Sequence, residues 1–266
     1  RIINITGGEP TLRSDLVEMV RILSNSCIHI ARIDISTNGI NTTEVIDKVG
    51  QVLACLLETD IKLSVSVSVD GVDKVHDKVR GVEGAFEKID KTIDELKELM
   101  LLYPSFSIGL NATINRFNYL DLGNILDYSK KKELGLNFTL AALSQIGVES
   151  SSLKDTFMLT DETRGPVATF IEDFLKTHQI NIRYGNFLLY WLKTGIRKSR
   201  CAFREGKAIL CDSDGSIYQC GNFRDFKIGN ILQKPFKDIV SCNGHFVRQY
   251  KIRCNTCNSN CYVEGV

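Results

Sequence analysis

Hydrophobic positions follow two alternating rhythms up to residue 140. Short runs rich in Ile, Val, Leu and Phe at 2–5, 28–36, 61–69, 106–113 and 136–140 are bounded by polar turns, the pattern of β-strands. Between them, 14–25, 42–57, 84–101 and 118–133 carry the three- and four-residue spacing of amphipathic helices. In 84–101 the spacing is explicit: Phe86, Ile89, Ile93, Leu96 and Leu99 recur with Lys and Glu filling the gaps. Repeated strand–helix–strand units build a parallel sheet with right-handed crossovers, so the chain is expected to be α/β, as an open doubly wound sheet or a barrel. Pro104 closes the third helix, and Asn38-Gly39 turns the chain after the second strand.

Past residue 140 the rhythm changes. Residues 144–156 are Ser-rich and aperiodic and read as a surface loop, with helices expected at 161–177 and 187–196. Lys207–Cys211 and Ser216–Cys220 flank Asp212-Ser213-Asp214-Gly215 and read as the arms of a β-hairpin. No internal repeat is visible.

A chain of 266 residues, 43% of them hydrophobic, can bury one large core with a small appendage. Its net charge is +1 and its basic residues are scattered, which removes the electrostatic case for nucleic acid; the Lys130–Lys132 run reads as the solvated end of a helix. No apolar run reaches the roughly 18 residues that a membrane-spanning helix needs. Nine cysteines without a signal-peptide pattern in a chain of this size point to a reducing cytoplasm, not to a disulfide scaffold. The chain opens on Arg1 directly in an apolar run, Ile2-Ile3-Asn4-Ile5, and upstream sequence is expected to precede it.

Two groups of residues carry chemistry. The first recurs where strands end: Thr6-Gly7-Gly8-Glu9-Pro10, Ile35-Ser36-Thr37-Asn38-Gly39, Val67-Ser68-Val69-Asp70-Gly71 and Asn111-Ala112-Thr113-Ile114-Asn115. The C-terminal edge of a parallel sheet is where ligands bind. Paired glycines let backbone amides approach a ligand, and Glu9 offers a carboxylate to an ammonium group. The third rim segment continues into His76-Asp77, Arg80-Gly81, Gly84 and Phe86.

The second group is a cysteine set near the other end: Cys201 and Cys220 in a C-x13-G-x4-C spacing around Gly215, then Cys254, Cys257 and Cys261 as C-x2-C-x3-C. Gathered thiolates hold zinc or an iron–sulfur cluster, and spacing alone leaves the two open. Cys211 falls in a hairpin strand and Cys27, Cys55 and Cys242 in ordinary strand or helix positions, so all four are expected to be packed thiols. Asp212-x-Asp214-Gly215 lacks the later acidic ligands of a calcium loop and reads as a tight turn.

The ordered set formed by Gly7-Gly8-Glu9-Pro10, Thr37-Asn38-Gly39, Ser68-Val69-Asp70-Gly71 with His76-Asp77 and Arg80-Gly81, the Cys201…Gly215…Cys220 hairpin, Ile228-Gly229-Asn230-Ile231 and the last cysteine group resembles radical S-adenosylmethionine (radical SAM) enzymes with a SPASM or twitch auxiliary-cluster domain. That resemblance implies a partial (β/α)6 barrel over residues 1–195, lacking its first strand, and a small auxiliary-cluster domain over 196–266. It implies reductive cleavage of S-adenosylmethionine to a 5′-deoxyadenosyl radical that abstracts hydrogen from a peptide or protein substrate. The alternatives are a small-molecule dehydrogenase and a degenerate, non-catalytic iron–sulfur protein.

The family's radical-generating 4Fe–4S cluster is held by C-x3-C-x2-C, which the printed sequence does not contain. The resemblance places it upstream of Arg1. By the same resemblance Gly7, Gly8 and Glu9 line the methionine amino group, Pro10 belongs to the same cofactor-binding loop, and Ser68 bonds the methionine carboxylate or ribose. Ser36 and Asn38 share the rim, and Asp70 and Arg80 either touch the ligand or fix the loop. Cys201 and Cys220, completed by Cys254 and Cys257 with Cys261 as a rival, would hold one auxiliary 4Fe–4S cluster, and an electron donor such as flavodoxin or ferredoxin is implied. No catalytic base is distinguished.

Overall fold

The computed structural model of the chain describes residues 1–27, 29–142, 157–177, 182–198, 201–241 and 257–258. The expected loop at 144–156 therefore lies outside the described residues. Two compact units divide the chain, Arg1–Thr139 and Leu140–Val266. By packing, the helices expected at 161–177 and 187–196 group with the second unit.

The first unit is a parallel half-barrel. Strands β1 (Ile2–Ile5), β2 (Arg32–Thr37), β3 (Lys62–Ser68), β4 (Phe106–Ile114) and β5 (Leu136–Leu140) lie side by side in chain order. Between them run α1 (Leu16–Ser26), α2 (Thr42–Leu56), α3 (Lys74–Arg80), α4 (Ala85–Leu102) and α5 (Leu122–Lys132). The expected strands and four long helices are all present, with ends shifted by a few residues; α3 was not anticipated, because its seven residues are too short to show a period.

Side-chain alternation divides the sheet into two unlike faces. Ile33, Ile35, Leu63, Val65, Val67, Leu110 and Ala112 are buried under the helices against Val20 of α1, Val45, Val49, Val52 and Leu53 of α2, and Ile89, Ile93 and Leu96 of α4. Each fully buried Leu, Ile or Val contributes about 1.5–3 kcal/mol, so this face fixes the strand register. The opposite face is polar: Asn4 aligns with Asp34 and Ser64, Ser64 with Ser107, Ser36 with Ser66, and Ser68 with Asn111. Asn137 Nδ2 donates to Asn111 Oδ1 at 3.1 Å and Thr113 shares a hydroxyl contact with Thr139, extending that face across β5.

In the second unit, α6 (Asp161–Thr177) packs on α7 (Ile182–Thr194) through Val167, Ile171 and Phe174 against Phe187, Leu188 and Trp191. The Arg164 guanidinium caps α7 by donating to the Trp191 and Leu192 carbonyls. Strands β6 (Leu210–Cys211) and β7 (Ser216–Tyr218) form the expected antiparallel hairpin, extended by β8 (Lys227–Asn230) and followed by α8 (Phe236–Ser241). Gly215 sits at φ +79, a conformation a side chain would strain, and the Asp214 carboxylate accepts from both the amide and the hydroxyl of Ser216. The Asp212–Gly215 segment is thus a turn. Among the described residues no helix is long and apolar enough to cross a membrane.

Candidate functional site

The four rim segments singled out in the sequence lie at the C-terminal ends of β1, β2, β3 and β4, with Arg80 at the end of α3. Gly7 and Gly8 are exposed, and a Cβ built on either meets nothing within 4 Å. Gly7 also adopts φ +140, so its backbone is both open and unsuited to other residues. Pro10 is buried as the first residue of a 3₁₀ turn, Pro10–Leu12, so it acts on the shape of the loop from beneath.

Glu9 caps that turn. Its Oε1 accepts from the Thr11 amide (3.2 Å), the Thr11 hydroxyl (2.8 Å) and the Thr37 hydroxyl (2.8 Å), and its Oε2 accepts from the Asn38 amide at 2.6 Å. The carboxylate therefore ties the glycine loop to the end of β2, and only Oε2 keeps spare acceptor capacity for a ligand. Asn38 spends its own Oδ1 on the Ile40 amide. The Ser36 and Ser68 hydroxyls, by contrast, enter no hydrogen bond among the described residues and stand on the polar face beside this loop.

The third rim segment braces itself. Asp70, 5% exposed, accepts from the Thr113 amide at 2.7 Å and pairs with Arg80 Nη2 at 2.8 Å. Burial pushes its carboxyl above the usual range although Arg80 and the Thr113 amide pull the other way. His76 is fully buried and its Nδ1 accepts from the Asp70 amide. Burial, helped by the Arg80 charge, pushes the imidazole down to about 4, so it is neutral at pH 7. Asp77 accepts from the Gly84 and Phe86 amides, satisfying the free start of α4. Of the two roles open to Asp70 and Arg80, the geometry favours fixing the loop.

Sequence reasoning missed the partners of this loop. Asn118 Nδ2 donates to the Asp70 and Thr113 carbonyls, Asn118 Oδ1 accepts from the Asn115 amide, and Asp121 Oδ2 accepts from the Val72 amide. It also missed the polar strand face, although the Ser64-Val65-Ser66-Val67-Ser68 alternation was its signal.

The cysteines separate by environment. Cys201 is buried; Cys220 and Cys257 are half-buried. Burial raises the Cys220 thiol, with backbone hydrogen bonds from Asn222 and Phe223 pulling it down and smaller upward pushes from Cys257 and Cys201. Among the described residues no three ligating side chains converge tightly enough for one metal ion. Cys254 and Cys261 lie outside the described residues, as does Cys242.

Cys211 is exposed, not packed, because it lies on the open side of a two-residue strand; burial of its sulfur and the charges of Asp212 and Asp214 raise its thiol. Cys27 is likewise exposed, at the end of α1 where the chain leaves the helix, and Cys55 is half-buried on α2. Neither is a core residue.

The family model described as the Radical SAM superfamily matches residues 1–114. Among curated relatives, the Fe-coproporphyrin III synthase of Methanosarcina barkeri is 27% identical over 259 residues, 90% of this chain and 61% of that protein. The cysteine-type anaerobic sulfatase-maturating enzyme of Clostridium novyi is 25% identical over 272 residues, 95% of this chain and 69% of that protein. The solved structure of native anSMEcpe with bound AdoMet and Cp18Cys peptide shares the fold with a TM-score of 0.60 at 20% identity, over 91% of this chain and 67% of that one. The chain thus spans about three-fifths to two-thirds of the proteins it resembles.

Proposed function

We infer that this chain, whose first 114 residues are a radical SAM superfamily domain, is the S-adenosylmethionine- and substrate-binding portion of an enzyme that matures a peptide or protein. The cofactors would supply the hard chemistry: reductive cleavage of S-adenosylmethionine to a 5′-deoxyadenosyl radical that abstracts hydrogen. The chain's own residues supply binding and orientation. Open Gly7 and Gly8 amides would meet the methionine moiety, braced by Glu9, and the free Ser68 and Ser36 hydroxyls would take its polar atoms. The thiols of Cys201, Cys220 and Cys257, with Cys254 or Cys261, would hold one auxiliary 4Fe–4S cluster.

The observation that carries this reading is the polar inner face running from Asn4 through Ser36, Ser66, Ser68 and Asn111 to Thr139, next to the open glycine loop. It also bears on the substrate. Closely spaced hydroxyl and amide groups suit the donors and acceptors of a polypeptide. The sulfatase-maturating relative, which aligns with nearly the whole chain, supports the same choice.

The test uses the complete polypeptide, reconstituted anaerobically with iron and sulfide. Dithionite and S-adenosylmethionine should yield 5′-deoxyadenosine by mass spectrometry, and Ser68→Ala should weaken S-adenosylmethionine binding about tenfold, the value of one lost hydrogen bond. No 5′-deoxyadenosine from fully loaded protein would refute the activity; unchanged affinity would refute the pocket.

A further inference from the structure

Two nitrogen donors from distant parts of the second unit converge on one sulfur. Arg197 Nη1 lies 3.8 Å from Cys257 Sγ, and Asn222 Nδ2 lies 3.8 Å from the same atom. The Asn222 backbone amide also donates to Cys220 Sγ at 3.5 Å. Asn222 therefore bridges two thiols, one through its side chain and one through its backbone.

Arg197 is held in place independently of the sulfur. It is 8% exposed, and its guanidinium stands 4.8 Å from the centroid of the Phe187 ring on α7. A guanidinium does not lose its proton in a protein, so Arg197 brings a fixed positive charge into a buried site. A neutral thiol is a weak acceptor, whereas a cluster-bound thiolate would carry negative charge that strengthens both contacts.

We propose that Arg197 and Asn222 form a polar clamp on Cys257 Sγ that sets the reduction potential of the auxiliary cluster. The clamp rests on the cluster reading above and adds to it a role for two residues that are not ligands. Hydrogen bonds to cysteine sulfur, together with a nearby cation, favour the more negative, reduced state of a cluster and so raise its potential. Cys257 receives two side-chain donors, one of them charged, so it is a thiolate through which the protein would tune the site. Asn222 is also placed to keep Cys220 and Cys257 in fixed relation, because one residue grips both sulfurs.

The complete polypeptide isolates the question once the C-x3-C-x2-C cysteines expected upstream are replaced by alanine, because any cluster it then takes up is the auxiliary one. After anaerobic loading with iron and sulfide, iron and sulfide are counted per chain and the midpoint potential is read by dithionite titration with electron paramagnetic resonance. With loading intact, Arg197→Gln should lower the one-electron reduction equilibrium at least tenfold, about 59 mV. Arg197→Lys, which keeps the charge but loses the planar fork, should shift it less, and Asn222→Ala should move it in the same direction as Arg197→Gln. Full loading with an unshifted potential in Arg197→Gln and Asn222→Ala would overturn the clamp and leave the cluster reading standing. Loss of iron in Arg197→Gln and Arg197→Lys alike would overturn it in favour of a scaffolding role. Zinc without sulfide in the unaltered chain would overturn the cluster reading and the clamp together.

Discussion

Gly8 and Gly71 are both rim glycines, yet neighbouring atoms give them opposite reasons to be glycine. A Cβ at Gly71 would stand 2.7 Å from the His76 amide nitrogen and 2.7 Å from Val75 Cγ1, and backbone cannot step aside as a side-chain tip can. At Gly8 a Cβ meets nothing within 4 Å, so no neighbour among the described residues demands glycine there. The prediction is a split phenotype. Gly71→Ala should lose about 1–3 kcal/mol of stability by urea unfolding, the usual cost of overpacking. Gly8→Ala should stay within about 0.5 kcal/mol of the unaltered chain while weakening S-adenosylmethionine binding in the complete polypeptide. Equal stability losses at the two positions would mean that both glycines serve packing. The sequence presents both as glycines beside a strand end; what separates them is the approach of α3, an element too short to be read from periodicity.

At the scale of elements, strands and long helices were legible because each buries one face and the burial writes a period into the sequence. The β3–α3–α4 connection was legible only as a string of distinctive residues. Their roles, with His76 holding the Asp70 amide, Arg80 pairing with Asp70 and Asp77 capping α4, depend on contacts that no spacing rule encodes. His76 gives this connection a pH signature. Its folded pKa of about 4 lies below the usual histidine value near 6.5. As pH falls below 6.5 the unfolded chain takes up a proton that the folded chain refuses, so stability present at neutral pH is lost progressively towards pH 4. The loss between pH 7 and 5 should be about 2 kcal/mol. Asp70 titrates with the opposite sign, since its folded carboxyl is raised, and this offsets the loss at the acid end of the window. Urea midpoints from pH 7 to 5 check the slope: His76→Gln, which keeps an acceptor but cannot charge, should flatten it. A slope that survives in His76→Gln would place the acid sensitivity elsewhere.

For the molecule as a whole, the parallel sheet was foreseeable because four strand–helix units repeat before β5. The second unit was foreseeable mainly through its hairpin and its cysteines. Spacing singled out Cys201, Cys220, Cys254, Cys257 and Cys261, of which Cys254 and Cys261 lie outside the described residues, but gave Cys211 a packed position, because a two-residue strand has too little alternation to tell inside from outside. The structure separates them by physical environment. Cys220 is pushed upward by burial and by the two other candidate ligands, a repulsion that bound iron would turn into shared coordination, and it is braced by the Asn222 amide. Cys211 faces solvent between Asp212 and Asp214, whose negative charges oppose a thiolate there. In the reconstituted complete polypeptide Cys220→Ala should therefore remove about four irons, the content of one cubane, with a matching loss of sulfide. Cys211→Ala should leave both counts unchanged. Full iron in Cys220→Ala would show that this thiol is not a ligand, and loss in both variants would show that the cysteines answer for the fold of the unit, since only a ligand and its exposed neighbour, tested side by side, separate metal binding from stability.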